Sequence, residues 1–173
     1  MNTKIRLASP DEANELWNIR NQAIRHGCAS SYAASVILAW TPDDMPDSFR
    51  QLIDENTFFV AENSKGKPLA TGFLDLSRHS VEAICTLPAY MGKGLARAII
   101  NAIKKEAGNR GFTYLTLSST PNAVSFYLKQ GFVIVSKSLY PSKLAGTHLA
   151  CFNMKINLNA LNNSDDSAAA DER

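Results

Sequence analysis

Long apolar runs are missing from this chain. No stretch approaches the roughly 20 residues a helix needs to cross a bilayer, so no membrane span and no membrane partner are expected. The first residues, MNTKIRLASPDEAN, also lack a basic segment followed by an apolar one. No secretory signal is read there, and a cytoplasmic location is expected. Cysteine is scarce. Cys28, Cys85 and Cys151 are odd in number, far apart and never arranged as C-x-x-C, which argues against both a disulfide framework and a zinc site. Buried thiols and no bound metal are expected instead. An excess of one charge is missing too. The net charge is +2 and the basic residues are scattered rather than gathered into a stripe, so nucleic acid is not an expected partner. Internal repeats are absent.

What remains is ordinary globular material: 173 residues, 45% hydrophobic and 20% charged. A chain of this length removes roughly 70% of its unfolded surface from water around one core. The reading is one domain over residues 1–158. Residues 159–173, rich in Asn, Ser, Asp and Ala, read as a disordered tail.

Lys4 to Ala8 alternates apolar and polar residues, as a short strand does, and Ser9-Pro10-Asp11-Glu12 then supplies an N-cap, a first-turn proline and acidic residues suited to a helix start. Ala13, Leu16, Trp17, Ile19, Arg20, Ala23 and Ile24 form a stripe at helical spacing that ends near His26-Gly27. Further helices are predicted over Ala29 to Trp40 and Asp47 to Glu55. From Thr57 the period changes to that of strands. Phe58 to Glu62 and Pro68 to Leu76 flank a turn, Arg78 to Thr86 follows, and after Pro88 a glycine turn opens an amphipathic helix carrying Leu95, Ile99, Ile100 and Ile103. A strand at Tyr114 to Leu117, a helix at Asn122 to Gln130, and strands at Phe132 to Leu139 and His148 to Ile156 complete the pattern. These elements describe an α+β chain whose strands before the glycine turn read as antiparallel hairpins.

The glycine turn is the first chemically informative segment. A strand ending at Leu87-Pro88 delivers Met91-Gly92-Lys93-Gly94-Leu95-Ala96-Arg97 onto a helix start, where backbone N–H groups have no intrahelical partner. Without side chains at Gly92 and Gly94, and with only a methyl at Ala96, a pyrophosphate can approach the backbone and gain from the helix dipole. Glycines before a helix are also ordinary loop chemistry. A dinucleotide fold would require G-x-G-x-x-G in an early βαβ unit, whereas position 97 is Arg and hairpin-like strands precede the turn. The G-K-S/T ending of a Walker loop is absent as well.

The segment Met91-Gly92-Lys93-Gly94-Leu95-Ala96 resembles the Q/R-x-x-G-x-G/A hallmark of the GNAT superfamily of N-acetyltransferases, with Met91 where the family has Gln or Arg. Asn122-Ala-Val-Ser-Phe-Tyr127-Leu-Lys-Gln-Gly131-Phe132 is similar to the family's later motif, in the right order and at the right separation. The resemblance is clear from Thr57 to Val135 and holds by pattern only from Thr3 to Glu55. It implies a GNAT-like acyl-CoA N-acyltransferase fold, α+β with a mixed and mostly antiparallel sheet flanked by helices, with acetyl-CoA as cosubstrate. Met91 to Arg97 would then bind the pyrophosphate through main-chain N–H groups. Ile84, Cys85 and Thr86 would line the acetyl and pantetheine groups. Asn122 would bond the pantetheine arm, unless it serves as a helix N-cap.

The resemblance also suggests catalytic roles. Expelling a thiolate requires an acid, and a phenol of ordinary pKa about 10 can protonate it while remaining neutral at pH 7, so Tyr127 is the candidate, against a plain core tyrosine. An acceptor ammonium of ordinary pKa about 10.4 must lose a proton before it attacks. Glu82, on the strand before the turn, is the candidate base, acting directly or through water, against a solvated strand glutamate. His79 is a further option for the same task. Direct attack in a ternary complex needs no acyl-enzyme, so Cys85 is not read as a nucleophile. The expected function is transfer of acetyl from acetyl-CoA to a primary amine, on a small molecule or a protein, with a homodimer admitted as an assembly. A non-catalytic acyl-CoA-binding or sensing module of the same fold is the alternative. Tyr32, Trp40 and Phe49 are read either as core or as the wall of an amine pocket.

Overall fold

The computed structural model describes residues 2–158, so the tail expected at 159–173 lies outside the described residues. The chain opens with β1 (Lys4–Leu7), and a single 3-10 turn, Pro10–Glu12, leads straight into α1 (Ala13–Gly27). The predicted cap is present as a complete capping box. Ser9 accepts from the turn's backbone, and the Glu12 carboxylate accepts from the Ser9 N–H at 2.9 Å. Arg6 ties this corner together, pairing with Glu12 at 2.6 Å and with Glu62 at 2.9 Å.

Next come α2 (Ala34–Trp40) and α3 (Asp47–Glu55), then β2 (Thr57–Glu62), β3 (Pro68–Asp75) and β4 (Ser80–Thr86). α2 begins five residues later than the sequence suggests. The amides of Ser31 and Tyr32 fold back onto the Cys28 carbonyl, and the Tyr32 hydroxyl donates to the Ala150 carbonyl at 2.7 Å, which holds this connection against a distant strand. A helical stripe cannot reveal such a tether. The remainder is α4 (Leu95–Asn109), β5 (Tyr114–Ser119), α5 (Val124–Lys129), β6 (Val133–Ser142) and β7 (Thr147–Asn157).

The strands form one seven-stranded sheet in the order β1-β2-β3-β4-β5-β7-β6, antiparallel at every junction except β4–β5. Strand alternation separates two apolar layers. Phe58 and Val60 of β2 pack with Leu16, Trp17 and Ile19 of α1 and with Phe49 and Ile53 of α3. Ala61, Leu74 and Val81 pack with Ile99, Ile100 and Ile103 of α4. The helix after the glycine turn is thereby anchored by its buried isoleucines, while the turn itself, residues 91–94, stays at the surface.

Hydrogen bonds fix the α1 to α3 layer. Trp17 Nε1 and Asn21 Nδ2 both donate to the Pro42 carbonyl at 2.8 Å, and Arg25 donates to the Thr41 hydroxyl and carbonyl at 3.0 and 2.6 Å. Asn21, buried on the face that otherwise carries the apolar stripe, is satisfied by this contact.

Candidate active site

Two local irregularities of β4 create the site. Thr71 pairs with Cys85 and Phe73 with Glu82, so Gly72 of β3 stands opposite two residues, Ala83 and Ile84: a β-bulge. Ala83 takes a positive φ of 52°, and a Cβ on Gly72 would displace the tip of the Ile84 side chain, so the absent side chain at Gly72 leaves room where the bulge crosses β3. Beyond it, β4 and β5 part. The only registered pair between them is Ser80 with Thr116, supported by Thr116 N–H donating to the His79 carbonyl at 3.0 Å. The edge of Ile84–Thr86 that faces β5 therefore carries main-chain groups free for a ligand.

The glycine turn lies just past this opening. Gly92 and Gly94 have φ of 74° and 82°, the left-handed region that L side chains rarely adopt, and a Cβ on either would meet nothing within 4 Å. The space above the turn is open. The first intrahelical bond of α4 is Ala98 N–H to the Gly94 carbonyl, which leaves the amides of Leu95, Ala96 and Arg97 without helical partners. Its first turn has no acidic residue, and Lys93 and Arg97 are exposed beside it. This surface fits a pyrophosphate. Met91 is half-exposed and offers only its backbone. Leu95 is buried and Ala96 half-buried, so these two contribute main chain and support rather than polar side chains.

A cavity of about 450 Å³ extends from the opening towards α1 and α2. Glu82, Ile84, Cys85, Asn122 and Tyr127 all line it, so it gathers both catalytic candidates and three of the expected cofactor-binding residues, while Met91 to Arg97 lie outside its lining. Tyr127 projects from α5 between Phe126 and Phe132, with ring centroids 5.2 and 6.0 Å away. Burial raises its pKa well above the ordinary phenol range, and the neighbouring Cys85 and Glu82 add to the effect, so it holds its proton throughout the neutral range. Burial also raises the Glu82 carboxyl, with a smaller push from Asp75 that Ser80 and Arg78 oppose. A carboxylate moved in that direction is a better match for taking a proton near neutral pH. The Cys85 thiol is pushed up to about 12, chiefly by burial, which keeps it protonated and unsuited to attack.

Other expectations sort differently. Asn122 lies in a 3-10 turn (Pro121–Ala123) whose cap position is Thr120, so it is not a helix N-cap. Its Oδ1 instead accepts from the Ser31 hydroxyl at 3.1 Å, joining the α5 entrance to the α1–α2 connection. His79 stacks on Phe112 at 3.7 Å and lies outside the cavity lining, away from the wall that carries Glu82 and Tyr127. Thr86 is half-buried at the end of β4, outside the cavity lining. Tyr32, Trp40 and Phe49 do line the cavity, which makes them pocket wall, and Phe49 belongs to the core as well. Among the lining residues for which the sequence suggested no function are Trp17 and Arg20; the signal for Arg20 was a charged side chain in an otherwise apolar stripe.

The acetyltransferase (GNAT) domain family matches residues 28–158, and the chain belongs to that family. A search of curated proteins finds no match. Among solved structures, a GCN5-related N-acetyltransferase from Rhodopseudomonas palustris superposes with a TM-score of 0.81 at 22% identity, over 91% of this chain and 96% of that one. A putative acetyltransferase from Salmonella typhimurium, solved with its cofactor acetyl-CoA, has a TM-score of 0.66 at 21% identity, over 91% and 95% of the two chains. The PaiA N-acetyltransferase from Thermoplasma acidophilum, solved with coenzyme A, has a TM-score of 0.70 at 19% identity, over 91% and 99%.

Proposed function

We propose that this chain is an acetyl-CoA-dependent N-acetyltransferase that acts on a primary amine by direct attack in a ternary complex. The observation that carries the reading is the meeting of Tyr127, Glu82 and the opened edge of β4 in one cavity, next to a glycine turn with free amides. In this reading the amides of Gly92 to Arg97 receive the pyrophosphate, and the main chain of Ile84–Thr86 holds the pantetheine arm. Glu82 takes a proton from the acceptor ammonium, directly or through one water. The neutral amine attacks the thioester carbonyl carbon, and collapse of the tetrahedral adduct breaks the C–S bond. Tyr127 gives its proton to the leaving sulfur, so free CoA thiol and the N-acetyl product result. The buried phenol regains a proton as the amide nitrogen sheds its own.

Relatives solved with acetyl-CoA or coenzyme A support the choice of cosubstrate. Calorimetry with acetyl-CoA, followed by an amine panel monitored for CoA thiol release, tests the reading. Saturable binding and amine-dependent thiol release are expected. Binding with no turnover across the panel would favour an acyl-CoA sensor, and absence of binding would overturn the cofactor assignment.

A further inference from the structure

The cavity contains a cation that the acetyl-transfer chemistry does not use. Arg20 projects from α1 into the cavity lining, held by the Trp17 ring 4.2 Å from its guanidinium carbon and flanked by the Trp40 ring at 5.8 Å. Its Nη1 donates to Asn21 Oδ1 at 2.8 Å and to the Trp40 carbonyl at 3.1 Å. Both acceptors are neutral. Among the described residues, no carboxylate lies within ion-pair distance of Arg20, and its Nε and Nη2 hydrogens have no acceptor. Those two groups form one edge of the planar guanidinium, the edge that accepts a carboxylate through two parallel hydrogen bonds. A half-buried guanidinium costs desolvation energy unless a partner offsets it.

The cavity has one carboxylate, and it is not that partner. No ion pair and no hydrogen bond joins Glu82 to Arg20 among the described residues. The two charges therefore occupy separate stations on one cavity wall, with the aromatic rings of Trp17, Trp40 and Phe49 beside them. That arrangement complements a zwitterion: an ammonium towards Glu82, a carboxylate towards Arg20, and an apolar side chain against the rings.

We propose that the acceptor is a free amino acid with an apolar side chain, whose carboxylate is received by the open Nε/Nη2 edge of Arg20. The proposal rests on the acetyl-transfer reading and extends it to the substrate class. It makes Arg20 a specificity-determining residue, remote from the bond that breaks.

The test compares L-phenylalanine, L-leucine and L-methionine with the amines obtained by removing their carboxylate, in the wild type and in Arg20→Gln and Arg20→Lys. In the wild type, kcat/KM for at least one amino acid is expected to exceed that of its decarboxylated amine by about 10²-fold or more. Arg20→Gln should collapse that ratio towards one, mainly through KM, with acetyl-CoA affinity retained as the check on folding. Arg20→Lys, which keeps the charge but loses the fork, should fall between. Equal use of amino acid and decarboxylated amine, or a ratio that survives Arg20→Gln, overturns the proposal while leaving acetyl transfer intact. So does a wild type that binds acetyl-CoA but neither acetylates nor, by calorimetry in the presence of CoA, binds any of the three amino acids. Failure to bind acetyl-CoA would instead remove the underlying reading, and the proposal with it.

Discussion

Burial gives Tyr127 and Glu82 their proposed roles, because it holds a phenol in its protonated form and makes a carboxylate more basic. Tyr127→Phe removes only the hydroxyl. The expected result is a fall in kcat of about 10²-fold or more with the acetyl-CoA dissociation constant little changed, read from steady-state kinetics and calorimetry. For Glu82 the raised pKa places the acid limb of kcat/KM above the ordinary carboxylate range. Glu82→Gln should lower the neutral-pH rate by about 10²-fold and abolish that limb. The same shift has a sign for stability. A carboxyl whose folded pKa exceeds its unfolded value of 4.5 favours the folded state at low pH, and that contribution is lost as pH rises through the raised pKa. Thermal melts at pH 5 and pH 8 should therefore differ less in Glu82→Gln than in the wild type. The sequence suggested both residues only through the family motif. Arg20 was legible as no more than a stripe position, because nothing local reveals whether a guanidinium meets a carboxylate, a carbonyl or a cavity.

Among the elements, those with strong local signals were read closely. α1 and α3 occupy the predicted spans because each carries a helical apolar face within a few residues of its ends, and a capping box on the preceding turn adds to the start of α1. The late start of α2 and the bulge in β4 were not readable, since one depends on a hydroxyl reaching Ala150 and the other on Gly72 across the sheet. The start of α4 permits a direct test of the phosphate site. Gly94→Ala and Gly94→Asp both place an L side chain at a φ of 82°, a strain of about 1–2 kcal/mol that aspartate tolerates better than alanine, but only the second adds a negative charge. Calorimetry on the folded variants should find acetyl-CoA affinity much weaker in Gly94→Asp than in Gly94→Ala. At the other end of the fold, Ser9→Ala should cost about 1 kcal/mol in urea melts through loss of the capping box, without changing acetyl-CoA binding.

At the scale of the molecule, the order of helices and strands followed from sequence periodicity and the mixed sheet from the family resemblance, but the strand order from neither, because pairing partners far apart in sequence leave no local mark. The parting of β4 from β5 is the clearest such case. Joined through Ser80–Thr116 alone, the sheet is two panels, β1 to β4 and β5 to β7, with a seam between them. Amide hydrogen exchange should see that seam. Amides of Ile84 to Thr86 that face β5 should exchange much faster than those shared by β2 and β3, and slow markedly when acetyl-CoA is added. The seam would then behave as a slot in which the cosubstrate supplies the missing rungs, so that binding is registered as recovered backbone protection in the middle of the sheet.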